Sequence, residues 1–233
     1  MTADIKHQLD HILTGDLGES GYALYDEVKN ITNGTIVELG SYIGESARVL
    51  LINAESNNNQ IYGVDVSFDS LSSEVLNDPR YNTILGDSST IGKYWESEVD
   101  LLFIDTFHIR QQVMSELHYW YPKVKQGGVI VFHDTNWPED KRDVYGGIAW
   151  PRVEEAIFDF FGIAKLNYED DYIEVKNYPE RWGLTTVRIK IKKDYVSQFE
   201  GWEEVFRGRN ELIQLFWNDQ NKGEVVVDLI HTK

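Results

Sequence analysis

The sequence predicts an α/β fold: a doubly wound, mostly parallel sheet of seven strands, with helices on both faces and a helical segment at the N-terminus. Two observations predict it. Strand-like and helix-like segments alternate from residue 34 to residue 134, and the strand-like ones are apolar along nearly their whole length. Strands with that composition are buried on both faces, as in a parallel sheet covered by crossover helices. A third observation bounds the class: 233 residues, 42% hydrophobic and 26% charged, suit one sizeable soluble domain.

Residues 3 to 30 read as helix in two pieces, broken at "TGDLGESG", with Leu24, Tyr25 and Val28 at helical spacing in the second. "GTIVELG" is a short β-branched strand bounded by glycines. Helical "GESARVLLINAES", strand "QIYGVDVS", helical "FDSLSSEVLND" and strand "YNTILGD" follow. "VDLLFID" is the fourth strand, "IRQQVMSELHYWYPKV" a helix, and Gln126-Gly127-Gly128 a turn into the fifth strand, "GVIVFHD". Residues 135 to 150 lack a period and read as a long loop; Trp137, Tyr145 and Trp150 in it could stack on a ring, and Gly146-Gly147 could hinge it. "PRVEEAIFDFFG" opens with proline at a first helical position. "DYIEVKNY" and "WGLTTVRIKIKK" complete the seven strands, giving a domain over 1–193. Residues 194–233 read as a helical extension with one further strand-like stretch, "GEVVVDLI"; its apolar load (Trp202, Phe206, Leu212, Leu215, Phe216, Trp217) finishes the core or forms a homodimer interface, and a homodimer is the expectation.

Composition removes several function classes. With no cysteine, disulfides, thiolate zinc sites and cysteine nucleophiles are excluded, and a metal site must use oxygen ligands, with or without imidazole, which favours Mg, Ca or Mn over a structural zinc. A formal net charge of -17 repels a phosphate backbone, so nucleic acid is not the expected partner. No apolar run approaches the roughly 20 residues of a membrane helix, and the N-terminus lacks a signal-peptide core. A cytoplasmic protein is expected.

The turn after the first strand, "VELGSYIGES", fails two nucleotide-phosphate patterns. Tyr42 stands where G-x-G-x-x-G needs its second glycine, and Glu45 follows Gly44 where a phosphate-binding loop needs lysine. What remains, E-x-G-x-x-x-G, brings backbone close to a ligand without a phosphate cradle. Asp65 ends the second strand, where an acid can accept ribose hydroxyls, and Asp87 with Ser88 follows the third, within reach of an adenine amino group. Glu38, Asp65 and Asp87 would ring a nucleoside carrying positive charge, as a sulfonium does.

These positions together resemble class I S-adenosylmethionine-dependent methyltransferases of Rossmann-like fold, over roughly residues 20 to 190. The resemblance implies S-adenosyl-L-methionine held by Glu38, Gly40, Ser41, Tyr42, Gly44, Ser46, Asp65, Val66, Asp87, Ser88 and Asp105.

The fourth and fifth strands run from apolar core into Asp105 and into His133-Asp134, with His108 three residues beyond Asp105. Adjacent strand ends bring such acids together. Two half-buried carboxylates repel, one is forced toward protonation, and a divalent cation removes the conflict. "FIDTFH…GGVIVFHDTNW" is similar to metal-dependent small-molecule O-methyltransferases, especially the branch that methylates macrolide sugars. That similarity implies Mg²⁺ on Asp105, His133 and Asp134, His108 as general base, and a small hydroxylated acceptor of sugar or natural-product type. Thr106-Phe107 departs from the usual Gly-x between acid and base, and His133 stands where relatives carry an acid, so His133 could instead stand behind the ligands. Alternatives are a metal-independent small-molecule methyltransferase, a non-catalytic S-adenosylmethionine-binding module, or His108 merely capping the helix after it; a nicotinamide oxidoreductase is disfavoured by Tyr42.

Overall fold

A computed structural model describes residues 1–52, 54–138, 143–145, 148–150 and 152–220. The first half lays down β1 (Thr35–Leu39), β2 (Gln60–Asp65), β3 (Tyr81–Leu85) and β4 (Val99–Ile104). Between and before them lie α1 (Ala3–Ile12), α2 (Gly21–Val28), α3 (Glu45–Leu51), α4 (Ala54–Asn57), α5 (Ser73–Leu76) and α6 (Ser88–Tyr94). The second half adds α7 (Arg110–Trp120), β5 (Val124–His133), β6 (Asp143–Tyr145), β7 (Ile148–Trp150) and α8 (Val153–Phe161). Then come β8 (Tyr168–Glu169), β9 (Ile173–Tyr178), β10 (Leu184–Ile189), α9 (Tyr195–Gln198) and α10 (Trp202–Gln220).

Eight strands form one sheet in the order β3-β2-β1-β4-β5-β10-β9-β8. β3 through β5 run parallel, whereas β10, β9 and β8 are antiparallel. Chain order reverses between β1 and β4, and open α/β sheets bind ligands outside the carboxyl ends of strands at that switch point. Register there is tight. Leu39 pairs with Ile104 and Ile104 with Phe132, which sets Asp105 beside His133.

Alternation of side chains along the strands splits the core in two. Val37, Leu102, Ile104, Ile130 and Phe132 pack on α7, α8 and α10 through Met114, Leu117, Trp120, Ile157, Phe160 and Val205. Ile36, Leu101, Phe103, Val129 and Val131 point to the other face, against Leu9, Leu24, Ala47 and Leu50 of α1, α2 and α3. Complete burial of a side chain such as Phe103 is worth roughly 1.5–3 kcal/mol. These central strands therefore fix the positions of the residues at their ends.

The structure differs from the sequence expectation in four places. The sheet has eight strands rather than seven, because Tyr168–Glu169 pairs with β9. β6 and β7 form a separate antiparallel ribbon within the stretch expected to be loop. β5 begins at Val124, with the Gln126-Gly127-Gly128 turn absorbed as an irregularity where the β4 register shifts. Helix α6 was not expected; Asp87 caps it by accepting from Thr90 N at 2.8 Å. Trp202 and Phe206 of α10 pack around His118 of α7, and Leu212 is buried. The side chains of Leu215, Phe216 and Trp217, those of Tyr145 and Trp150, the Gly146-Gly147 pair, and residues 223–230 lie outside the described residues. Among the described residues no helix is long and apolar enough to cross a membrane.

Candidate active site

The turn after β1 sits against the end of β4. At Gly40 (φ +85°) a Cβ would come 2.0 Å from the Asp105 carbonyl oxygen, so only glycine allows that approach. Gly44 is also left-handed and starts α3. Tyr42 takes φ +41° while 67% exposed, a strained conformation of the kind that clusters at functional sites.

The acids on the β1–β3 side are engaged by the chain itself. Glu38 is fully buried, accepts from Ser46 Oγ at 2.5 Å and from the Tyr81 hydroxyl, and burial pushes its carboxyl up to about 7. Asp65 Oδ2 accepts from the backbone N–H groups of Ser41 (2.7 Å) and Tyr42 (3.2 Å), and Oδ1 from Ser67 N (3.1 Å), which pins the glycine turn to β2. Val66 beside it is exposed. Asp87, besides capping α6, pairs with Arg209 of α10, whose Nε donates to Gln112 Oε1 at 2.6 Å. Ser88 Oγ donates to Glu116 Oε1 at 2.5 Å, and so does Thr106 Oγ1 at 2.7 Å. Glu116 is fully buried, its carboxyl also pushed up to about 7 by burial.

A cleft of about 430 Å³ including its open mouth lies over the turn. Gly40, Ser41, Tyr42 and Ile43 form one wall, and Glu45 and Ser46 at the start of α3 close one end. Asp105 and His133 line another side, and Asp16 and Leu17 complete it. No Lys or Arg is among these lining residues, which favours a cationic over a phosphorylated ligand. Of the residues singled out from sequence, Gly40, Ser41, Tyr42, Ser46, Asp105 and His133 line the cleft; Glu38, Gly44, Asp65, Val66, Asp87 and Ser88 support or flank it. Asp16, Leu17, Ile43 and Glu45 were missed. Asp16 and Leu17 fall in the Gly- and Asp-rich stretch that sequence reading treats only as a helix break.

At the β4–β5 end four titratable side chains converge. His108 Nε2 lies 2.9 Å from Asp105 Oδ1 and 3.1 Å from Asp134 Oδ2. His133 Nδ1 lies 3.2 Å from Asp105 Oδ1 and 3.4 Å from Asp134 Oδ1. His108 does not cap α7, whose N-cap is Ile109 without a side-chain bond. Burial pushes Asp105 up, but the imidazoles of His133 and His108 outweigh it and hold its carboxyl well below the usual range. Burial pushes Asp134 up and prevails over the two imidazoles. Both histidines would be lowered by burial alone; the carboxylates raise His108 above its ordinary value and His133 to about 9. One carboxyl ionised and its neighbour raised is the expected outcome for two acids in one place.

Donor atoms of Asp105, His108 and Asp134 lie within 4.8 Å of one another, close enough to share one ion. His133 is outside that set, in contrast to the ligand set implied from sequence. The residues fit a divalent cation on a further ground. Asp134 is 5% exposed and held at φ +58°, yet its Oδ1 makes no hydrogen bond. His133 Nδ1 stands 3.4 Å from that oxygen; a buried carboxylate oxygen with no hydrogen bond is costly, and a cation would supply what is missing.

Residues 37–135 match the family model of a methyltransferase domain. An uncharacterized protein of Acanthamoeba polyphaga mimivirus is 26% identical over 179 residues, covering 71% of this chain and 77% of that one. The fold is shared with the MycE methyltransferase of the mycinamycin biosynthetic pathway, solved with Mg, SAH and mycinamycin VI (TM-score 0.51, 20% identity), over 81% of this chain and 55% of MycE. This chain thus spans about half the length of MycE. The fold is shared also with CalS11, a TDP-rhamnose 3'-O-methyltransferase of calicheamicin biosynthesis (TM-score 0.54, 18% identity), over 78% of this chain and 80% of CalS11.

Proposed function

We propose that the chain is a class I methyltransferase that moves the methyl group of S-adenosyl-L-methionine onto a hydroxyl of a small metabolite, of sugar or natural-product type, with the help of a divalent metal and a histidine base; the match of residues 37–135 to a methyltransferase domain supports the family. One observation carries this reading: Asp105 lines the cofactor cleft and, through His108, shares a site with Asp134. Donor and acceptor chemistry therefore meet at one side chain. MycE and CalS11, which act in natural-product pathways, support the acceptor class.

The cleft's acids favour a sulfonium cofactor, and Gly40 lets the glycine turn close against Asp105 beside it. A hydroxyl is a weak nucleophile while protonated. His108, beside both carboxylates, is placed to take that proton as the oxygen attacks the methyl carbon in line with sulfur, and general-base help of this type is worth about 10²- to 10⁴-fold. Asp105, Asp134 and a neighbouring histidine would hold a divalent cation, which would lower the hydroxyl pKa and offset the carboxylate field that raises His108. Asp105 and Asp134 both face Nε2 of His108, at 2.9 and 3.1 Å, which holds the ring at the ends of β4 and β5.

The test is transfer of labelled methyl from S-adenosylmethionine to a panel of hydroxylated sugars and glycosides, before and after exhaustive chelation. Methylated product that is lost with EDTA and restored by Mg²⁺ is expected. Turnover that survives chelation would remove the metal from this reading, and S-adenosylmethionine binding without turnover on any acceptor would remove the catalysis.

A further inference from the structure

The segment between α1 and α2 lines the cleft through Asp16 and Leu17 and is tied at both ends. Backbone N–H groups of Gly15 and Leu17 donate to Glu45 Oε1 and Oε2 at 2.8 and 3.1 Å, which fastens the segment to the start of α3. On the other side Gly18 (φ +50°) packs under the Arg181 side chain of the turn between β9 and β10, where a Cβ would come 2.4 Å from Arg181 Nε. Asp16 sits between these ties, on the cleft wall.

Three acids line the cleft, and two are already committed. Glu45 holds the segment, and Asp105 holds His108 and His133. Asp16 makes no hydrogen bond or ion pair among the described residues; it is exposed, lines the cleft, and its charge contributes to raising His133 across it. His133, 3% exposed and on the same cleft, leaves Nε2 without a hydrogen bond, so a buried ring nitrogen there awaits a polar ligand atom. Asp65, Val66 and Asp87 do not line this space. If those residues take the nucleoside, as the sequence reading expects, this cleft is left for the amino-acid tail of the methyl donor.

We propose that Asp16 binds the α-ammonium group of the methyl donor's amino-acid tail, and that the segment of residues 14–20 covers that tail. The inference rests on the S-adenosylmethionine reading above and adds to it a recognition residue from outside the methyltransferase-domain match, which begins at residue 37. Asp16 touches the donor rather than the reacting atoms, so its effect is on donor affinity.

Titration calorimetry of the full chain with two ligands tests it. S-Adenosylhomocysteine carries the tail, and 5'-methylthioadenosine has the same nucleoside and sulfur without it. Asp16→Asn is expected to weaken S-adenosylhomocysteine by about tenfold, the scale of one charge-assisted hydrogen bond. 5'-Methylthioadenosine should bind as before, and Asp16→Glu should recover most of the loss. Unchanged S-adenosylhomocysteine affinity in Asp16→Asn, or an equal loss for both ligands, would overturn the proposal while leaving the donor reading in place. A wild-type chain that binds neither ligand would overturn both.

Discussion

The two halves of the sheet's ligand edge treat their acids in opposite ways. On the β1–β3 side, Glu38, Asp65 and Asp87 are answered by partners from the same chain: two hydroxyls, three backbone N–H groups, and an N-cap with an arginine. On the β4–β5 side, Asp105 and Asp134 face each other across two imidazoles, and a buried oxygen of Asp134 and a buried nitrogen of His133 make no hydrogen bond. Folding completes the first half. The second is left for ligands to complete, and buried polar groups without partners are rare enough to mark function.

Substitutions should separate the halves. The largest effect is expected for His108→Ala, which should lower kcat by about 10²- to 10⁴-fold with S-adenosylhomocysteine affinity unchanged in titration calorimetry. A comparable loss of cofactor affinity would mean that the two halves are not distinct in role.

Next in size is a pH effect at Glu116, which takes hydroxyls from both halves, Ser88 and Thr106. Burial raises its folded pKa from an ordinary 4.5 to about 7. The folded state then holds the proton more tightly than the unfolded chain does. Its contribution to stability is full below about pH 4.5 and is lost as pH rises through about 7, a change on the order of 3 kcal/mol. Glu116→Gln should flatten the fall of denaturation midpoint over that window; an unchanged pH profile would show that Glu116 does not titrate there.

The smallest effect contrasts two matched substitutions. Asp65→Asn turns an amide toward the Ser67 N–H and should cost about 1 kcal/mol in urea denaturation. Asp134→Asn removes a carboxyl whose charge burial disfavours but which faces His108 at 3.1 Å; the two effects offset, and the net change should be smaller than for Asp65→Asn. Equal losses would erase the distinction.

Much of this was legible in the sequence because strand ends are readable. Continuous apolar runs place Glu38, Asp65, Asp105 and His133-Asp134 at the same edge, since register in a buried parallel sheet is fixed by packing. What sequence could not supply was how each acid is spent. The Glu38–Tyr81 bond spans 43 positions and the Asp87–Arg209 pair 122, and no local pattern encodes either. Helix α6 was missed because "SSTIGKY" has no clear apolar period, although Asp87 before it is a good N-cap. Asp16 was missed because its role depends on the segment being tied to Glu45 and lying against Arg181, both remote in the chain. His133 was read as a ligand from the family resemblance; both imidazoles lie near both carboxylates, His108 through Nε2 and His133 through Nδ1, and no strand pattern tells the two apart.

The central claim is that the carboxylates after β4 and β5 bind one divalent cation beside the cofactor cleft. The most direct measurement is calorimetric titration of Mg²⁺ or Mn²⁺ into the S-adenosylhomocysteine-saturated chain, in wild type and in Asp134→Asn. One ion per chain, bound by the wild type and lost in the folded variant, is the predicted result. No binding at millimolar metal, or equal binding by both proteins, would contradict it.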